Sequence, residues 1–120
     1  MSGADVGEQL ARWGKVAIVE TSGRISGTRA RAAVGYLEAV DGSLLVAAGS
    51  PTADWARNLE ADPACTVTIG ERSGAFLAEA VDGPERNSVI ADLILRYGTP
   101  AEGLGRGPVF RLRPIGDGDT

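Results

Sequence analysis

Short apolar runs broken by glycine and hydroxyl residues make up most of this chain, and their period changes from segment to segment. Val16-Ala17-Ile18-Val19-Glu20-Thr21 is a compact, β-branched run that predicts a first strand. The stretch that follows, Ser22-Gly23-Arg24-Ile25-Ser26-Gly27-Thr28, has the composition of a loop. A second strand resumes near Arg31 and runs through Val34, Tyr36 and Leu37 to Val40, where Asp41-Gly42 is a two-residue hairpin signal. Ser43 to Ala48 should therefore pair back antiparallel. After Gly49-Ser50-Pro51, Thr52 is placed to cap a short helix from Ala53 to Ala61. Asp62-Pro63 ends that helix, because the residue before a proline disfavours helical backbone. Thr66 to Ile69 and Ala75 to Val81, joined by a turn over 70–74, predict a second hairpin.

The period then becomes helical. Asp82-Gly83-Pro84-Glu85 combines a capping residue, a proline suited to the first turn and an acidic partner, and Val89, Ile90, Leu93, Ile94 and Tyr97 recur on one face. Gly98 and Pro100 end this helix. A glycine-rich loop from Gly103 to Pro108 leads to a last strand, Val109 to Arg113. At the other end, Asp5 and Glu8 have capping-box spacing, and Leu10 and Trp13 extend a leading helix over 1–14. Hairpins adjacent in sequence, six strands in all and modest helices predict a mainly β, α+β domain over 1–120. The expected form is an antiparallel barrel or curved sheet with helices over its ends, followed by a flexible tail at 116–120.

Composition narrows the possible chemistry. The 120 residues fit one domain, and an apolar content of 43% with only 5% aromatics implies a core of Val, Ile, Leu and Ala. Twelve basic against 16 acidic residues give a net charge of −4, which opposes general attraction to nucleic acid or anionic lipid. With one cysteine, Cys65, and no histidine, no internal disulfide forms and the commonest metal ligand is missing, so no metal is expected. No apolar run approaches the roughly 20 residues that span a bilayer, and the N-terminus lacks the pattern of a signal peptide, so the expected location is the cytoplasm.

Arg24, Arg29 and Arg31 gather around Gly23, Ser26 and Gly27 in the first loop. Glycine admits close backbone approach and arginine binds phosphate or carboxylate through a planar fork, so this group suits an anionic ligand. The same arginines also suit a sheet edge that resists aggregation through its charge. The loop is not a nucleotide P-loop, because no Lys-Ser/Thr pair follows its second glycine.

Thr21-Ser22-Gly23-Arg24-Ile25-Ser26-Gly27, Asp41-Gly42, Leu45-Val46-Ala47-Ala48 and Asp54-Trp55-Ala56-Arg57-Asn58-Leu59-Glu60-Ala61-Asp62-Pro63 resemble, in order and spacing, successive motifs of the deazaflavin-dependent nitroreductases. The resemblance is strong from Val16 to Ile69 and elsewhere follows element order alone. It implies a six-stranded antiparallel split β-barrel of the flavin-binding type and the cofactor coenzyme F420, a deazaflavin with a phosphate and an oligoglutamate tail. Carried across, it places Arg24, Ile25 and Ser26 at the phosphate and tail, and from the loop's own composition Gly23, Arg29 and Arg31 are candidates for the same anion. Ala47, Ala48, Gly49 and Ser50 would lie along the ring system, and Asp54, Trp55, Ala56, Arg57 and Asn58 next to it. The implied reaction is hydride transfer from the reduced coenzyme to a quinone, enone or nitro acceptor.

The chain departs from the family where a basic residue is replaced by Ile25 and a Pro-Arg pair by Arg29-Ala30. FMN or haem on the same barrel, and a carrier or sensor without turnover, therefore stay open as alternatives. No nucleophile and base stand out, which suits chemistry carried by a cofactor, and Ser50 and Tyr97 are the candidate proton donors. Tyr97 also fits helix packing, Trp55 fits a core anchor, and Cys65 fits a buried thiol. Pairing into a homodimer is expected, with the apolar Val109-Phe110 strand as one contact.

Overall fold

The computed structural model describes residues 16–23, 29–98 and 106–115. The leading helix expected over 1–14 and the tail at 116–120 lie outside these. The described strands are β1 (Ala17–Ser22), β2 (Arg29–Val34), β3 (Tyr36–Glu38), β4 (Leu44–Ala47), β5 (Ala64–Ile69), β6 (Arg72–Ala80) and β7 (Val109–Pro114). Helix α1 (Asp54–Ala61) lies between β4 and β5, and α2 (Gly83–Tyr97) between β6 and β7.

All seven strands belong to one antiparallel sheet in the order β2-β1-β5-β6-β7-β4-β3. Strands β2 and β3 stand at opposite edges of that order, yet only Gly35 separates them in the chain. The sheet must therefore curl until its edges meet, so that one bent segment, 29–38, pairs with β1 through its first half and with β4 through its second. The sequence pattern gave six strands because it counted this segment once. The bend has a visible cause. The ring of Tyr97 lies so close to Gly35 that a Cβ there would stand 2.9 Å from its Cε2. The Tyr97 hydroxyl accepts from the N–H of Tyr36 at 3.0 Å and donates to its carbonyl at 3.3 Å, so the phenol takes over backbone bonds that the strand loses in turning.

Alternation along each strand builds two apolar layers. Val19, Val34, Tyr36, Leu44, Val46, Cys65, Val67, Phe110 and Leu112 fill the barrel, together with Ala56 and Leu59 of α1. On the outside, α2 lays Val89 and Leu93 on Ala47, Val81 and Val109. This double coverage explains why residues 44–48 are continuously apolar, since β4 is buried on both faces. Val109 and Phe110 are 1% and 3% exposed, which corrects the expectation that they pair two subunits: each packs within its own chain. Arg111 ties the first turn of α2 to the sheet by ion pairs with Glu85 and Glu79, and Arg113 adds a 2.9 Å contact to Glu79.

The turns show where local signals give way. Asp41-Gly42 does make a hairpin, but its loop covers 39–43, with Gly42 at φ 90° and Asp41 Oδ1 accepting from the N–H and hydroxyl of Ser43 at 2.9 and 2.6 Å. Those bonds hold the Asp41 carboxyl below its ordinary range. The second hairpin is tighter than expected. Ile69 faces Arg72 across a two-residue Gly70-Glu71 turn with Gly70 at φ 61°. Helix α1 starts after Ala53 and has no side-chain cap, because Thr52 binds Ser50 instead.

Candidate functional site

Most candidate cofactor residues that can be located gather at one end of the barrel. Strand β1 finishes there at Ser22 opposite Arg29, and the 48–53 connection leaves β4 and enters α1 at the same end. Arg24, Ile25 and Ser26 lie outside the described residues, but Gly23 and Arg29, which bracket them, are placed at this end.

Helix α1 plugs the opening. Ala56 and Leu59 reach into the core, and Trp55, half-buried, tilts against Phe110 with ring centroids 6.1 Å apart. The packing role expected for Trp55 is thus present, while part of the indole stays accessible. Asn58 is 2% exposed and donates from Nδ2 to Thr21 Oγ1 at 3.0 Å, so its amide points at β1. A polar pair in a dry interior is stable only while both members are satisfied, and this one fixes α1 to the strand that leads into the arginine loop. Asp54 and Arg57 are exposed on the outer side of the helix.

The 48–50 segment is held by backbone. Ala48 N–H donates to the Pro108 carbonyl at 2.9 Å, and Gly107 lies so close that a Cβ would stand 2.5 Å from the Ala48 oxygen and 2.7 Å from that of Ser50. Arg86 from α2 bonds the Gly107 carbonyl at 2.8 Å. Gly107 and Thr21 are supporting residues that motif reading missed. Thr21 was in principle detectable, since Ala17, Val19 and Thr21 share the inward parity of β1 and a hydroxyl there needs a partner. Gly107 had no local signal, because its reason is a strand distant in sequence. Ala47 packs in the outer layer under α2, whereas Ala48 joins the barrel core. Gly49 is exposed, and the Ser50 hydroxyl accepts from Thr52 N–H at 3.1 Å.

Arg29 and Arg31 project on the outer face of β2 and converge on Glu20, at 4.0 and 3.3 Å, and Arg29 also donates to Thr66 Oγ1 at 3.3 Å. More than half of each side chain is exposed, so these pairs contribute roughly 0–1 kcal/mol and can exchange for another anion. Of the two proton-donor candidates, Tyr97 has its hydroxyl bonded to the backbone N–H and carbonyl of Tyr36. Cys65 is buried, and burial pushes its thiol up to about 11, which removes it as a nucleophile at neutral pH.

These features fit a deazaflavin with an anionic tail. The first N–H groups of a helix have no acceptor within it, and α1 offers them without a side-chain cap, beside a partly open indole and an exposed glycine. Such donors match the polar edge of a ring system, and the neighbouring arginines match an anion.

Comparison with solved structures gives the same fold. The chain resembles an F420-H2 dependent reductase, FDR-A, with TM-score 0.69 and 21% identity over 82% of this chain and 94% of that one. It also resembles HutZ, the haem storage protein of Vibrio cholerae, with TM-score 0.70 and 21% identity over 95% and 90% of the two chains. A third structure, described as a domain-swapped dimer, has TM-score 0.69 and 21% identity over 92% and 96%. No curated protein matches the sequence. The family model of the F420H(2)-dependent quinone reductases matches residues 1–100, the arginine loop, the α1 segment and the long helix included, and the chain belongs to that family.

Proposed function

We propose that this protein binds coenzyme F420 at the α1 end of the barrel and reduces a small organic acceptor, a quinone, enone or nitro compound. The observation that carries this reading is the convergence at one barrel end of the β1 terminus, the 48–53 connection and the uncapped start of α1. When bound, the reduced deazaflavin supplies the hydride. The protein's share is alignment, and its residues divide the work by chemistry. The α1 N–H groups and the 48–50 backbone hold the polar edge of the ring, while Trp55 and Ala48 form an apolar floor that keeps water from it. Asp54 puts a negative charge in the first turn of α1, so an anionic tail is better served on the side of Arg29, Arg31 and the Arg24 loop. Ser50 is the hydroxyl placed to hold a proton near the acceptor. We further read the chain as one domain, active in the cytoplasm, with pairing into a homodimer through a surface other than β7.

Titration with F420 and, separately, FMN tests this, with tryptophan fluorescence as the readout. Trp55→Phe serves as control because Trp13 also contributes signal. Saturable quenching by F420 that Trp55→Phe abolishes and Arg24→Ala weakens, together with oxidation of reduced F420 by a quinone, is the expected result. Binding of FMN alone would move the protein to a flavin role. Tight F420 binding without turnover on any acceptor class would make it a carrier, and silence with both ligands would refute the reading.

A further inference from the structure

Among the described residues, the barrel is also open at the end away from α1. Strand β1 runs from Ala17, opposite Val34, to Ser22, opposite Arg29, and the β5–β6 hairpin closes beside the Ala17 end, where Ile18 faces Thr68 and Ile69 faces Arg72. A cavity of about 140 Å³ opens there, with a floor of Leu44, Val67, Ile69 and Phe76. Alternation explains why the space exists. Arg72, Gly74 and Phe76 share the inward parity of β6, and the middle one contributes no side chain. The gap is not forced by crowding, since a Cβ on Gly74 would meet only Phe76 Cε1, at an ordinary 3.7 Å. Glu38 and Arg72, both of inward parity, reach across the mouth at 3.9 Å.

We propose that this cavity is a second small-molecule site, separate from the cofactor end, for a neutral single-ring aromatic carrying one hydroxyl or carbonyl oxygen. Size and chemistry select that class. An apolar protein cavity of about 150 Å³ admits benzene, so one ring fits and a fused ring system does not. Four apolar side chains from three strands suit the ring faces and edges, while the Glu38–Arg72 pair at the rim offers both an acceptor and a donor for one oxygen. A charged ligand is disfavoured because the two rim charges cancel. The inference does not depend on F420, since none of the lining residues belongs to the α1 end.

Phenol is the probe, with benzene as comparison, and the intact chain is used throughout. Phenol at ten times its dissociation constant should raise Tm by roughly 5 °C. Methyl NMR signals of Leu44, Val67 and Ile69 should shift while those of Leu59, on α1, stay fixed. Gly74→Val, which fills the space with a strand-forming residue, should abolish the Tm rise, and Arg72→Ala should reduce the preference for phenol over benzene at least threefold. Methyl shifts centred on Leu59, a Tm response that survives Gly74→Val, or no response to either ring would each overturn the proposal. The methyl map of the unaltered protein decides the matter even if a variant fails to fold.

Discussion

Thr21 and Asn58 give the most incisive test of how the site is built. The pair is buried, its 3.0 Å bond joins α1 to β1, and removing the hydroxyl by Thr21→Val keeps the shape while leaving an Asn58 N–H without that acceptor. A buried donor stripped of its partner costs about 1–3 kcal/mol. For a chain of this size a kcal/mol corresponds to about 4 °C, so Tm should fall by about 4–12 °C. Asn58→Ala should cost a similar amount. The double variant lacks both polar groups, and its loss should be smaller than the sum of the singles by about 1 kcal/mol or more. Urea denaturation of the four proteins measures this cycle, and additivity within about 0.3 kcal/mol would refute the coupling. The same four proteins separate two roles for Asn58. Acting through Thr21, both single variants should weaken F420 binding alike. If Asn58 bonds the coenzyme itself, Asn58→Ala alone should do so.

Other expectations follow from the same geometry. Tyr97→Phe keeps the ring over Gly35 but loses the bonds to Tyr36, so Tm should drop by about 4–8 °C for a loss of about 1–2 kcal/mol while kcat at saturation is unchanged. A tenfold fall in kcat would restore Tyr97 as a proton donor. Gly107→Ala forces a Cβ against two carbonyl oxygens and should both destabilise by about 1–3 kcal/mol and weaken F420 binding, because the displaced segment is 48–50. Normal affinity in that variant would mean the segment does not touch the coenzyme. The Cys65 thiol is raised in the folded state from 9.0 to about 11, so the folded protein holds this proton longer than the unfolded chain does. Stability from this source is complete below pH 9 and is lost as pH climbs towards 11. Cys65→Ala should show a shallower decline in Tm across that window, and identical slopes would contradict the burial argument.

Much of this protein is written locally. The β-branched run of β1, the Asp82-Gly83-Pro84 start and Gly98 stop of α2, and the Asp62-Pro63 end of α1 each rest on the conformational preferences of adjacent residues, and they appear within a residue or two of where the pattern puts them. The family too was legible, because the Ser-Gly-Arg loop and the Asp-Trp-Ala-Arg-Asn segment keep their spacing in the chain, and the family model covers both. Other features depend on partners remote in sequence. Gly35 bends a strand that looked continuous because Tyr97, 62 positions later, lies on it. Val109 and Phe110 resembled an exposed contact until α2 and the barrel interior covered their two faces. The local sequence shows Arg29 and Arg31 as charges suited to an anion or a sheet edge, and only the strand pairing brings Glu20 against them. Short-range preferences are fixed by covalent neighbours and survive in any context, whereas closure of the barrel, the pairing of buried polar groups and the space left at Gly74 exist only once strands far apart in sequence share a register.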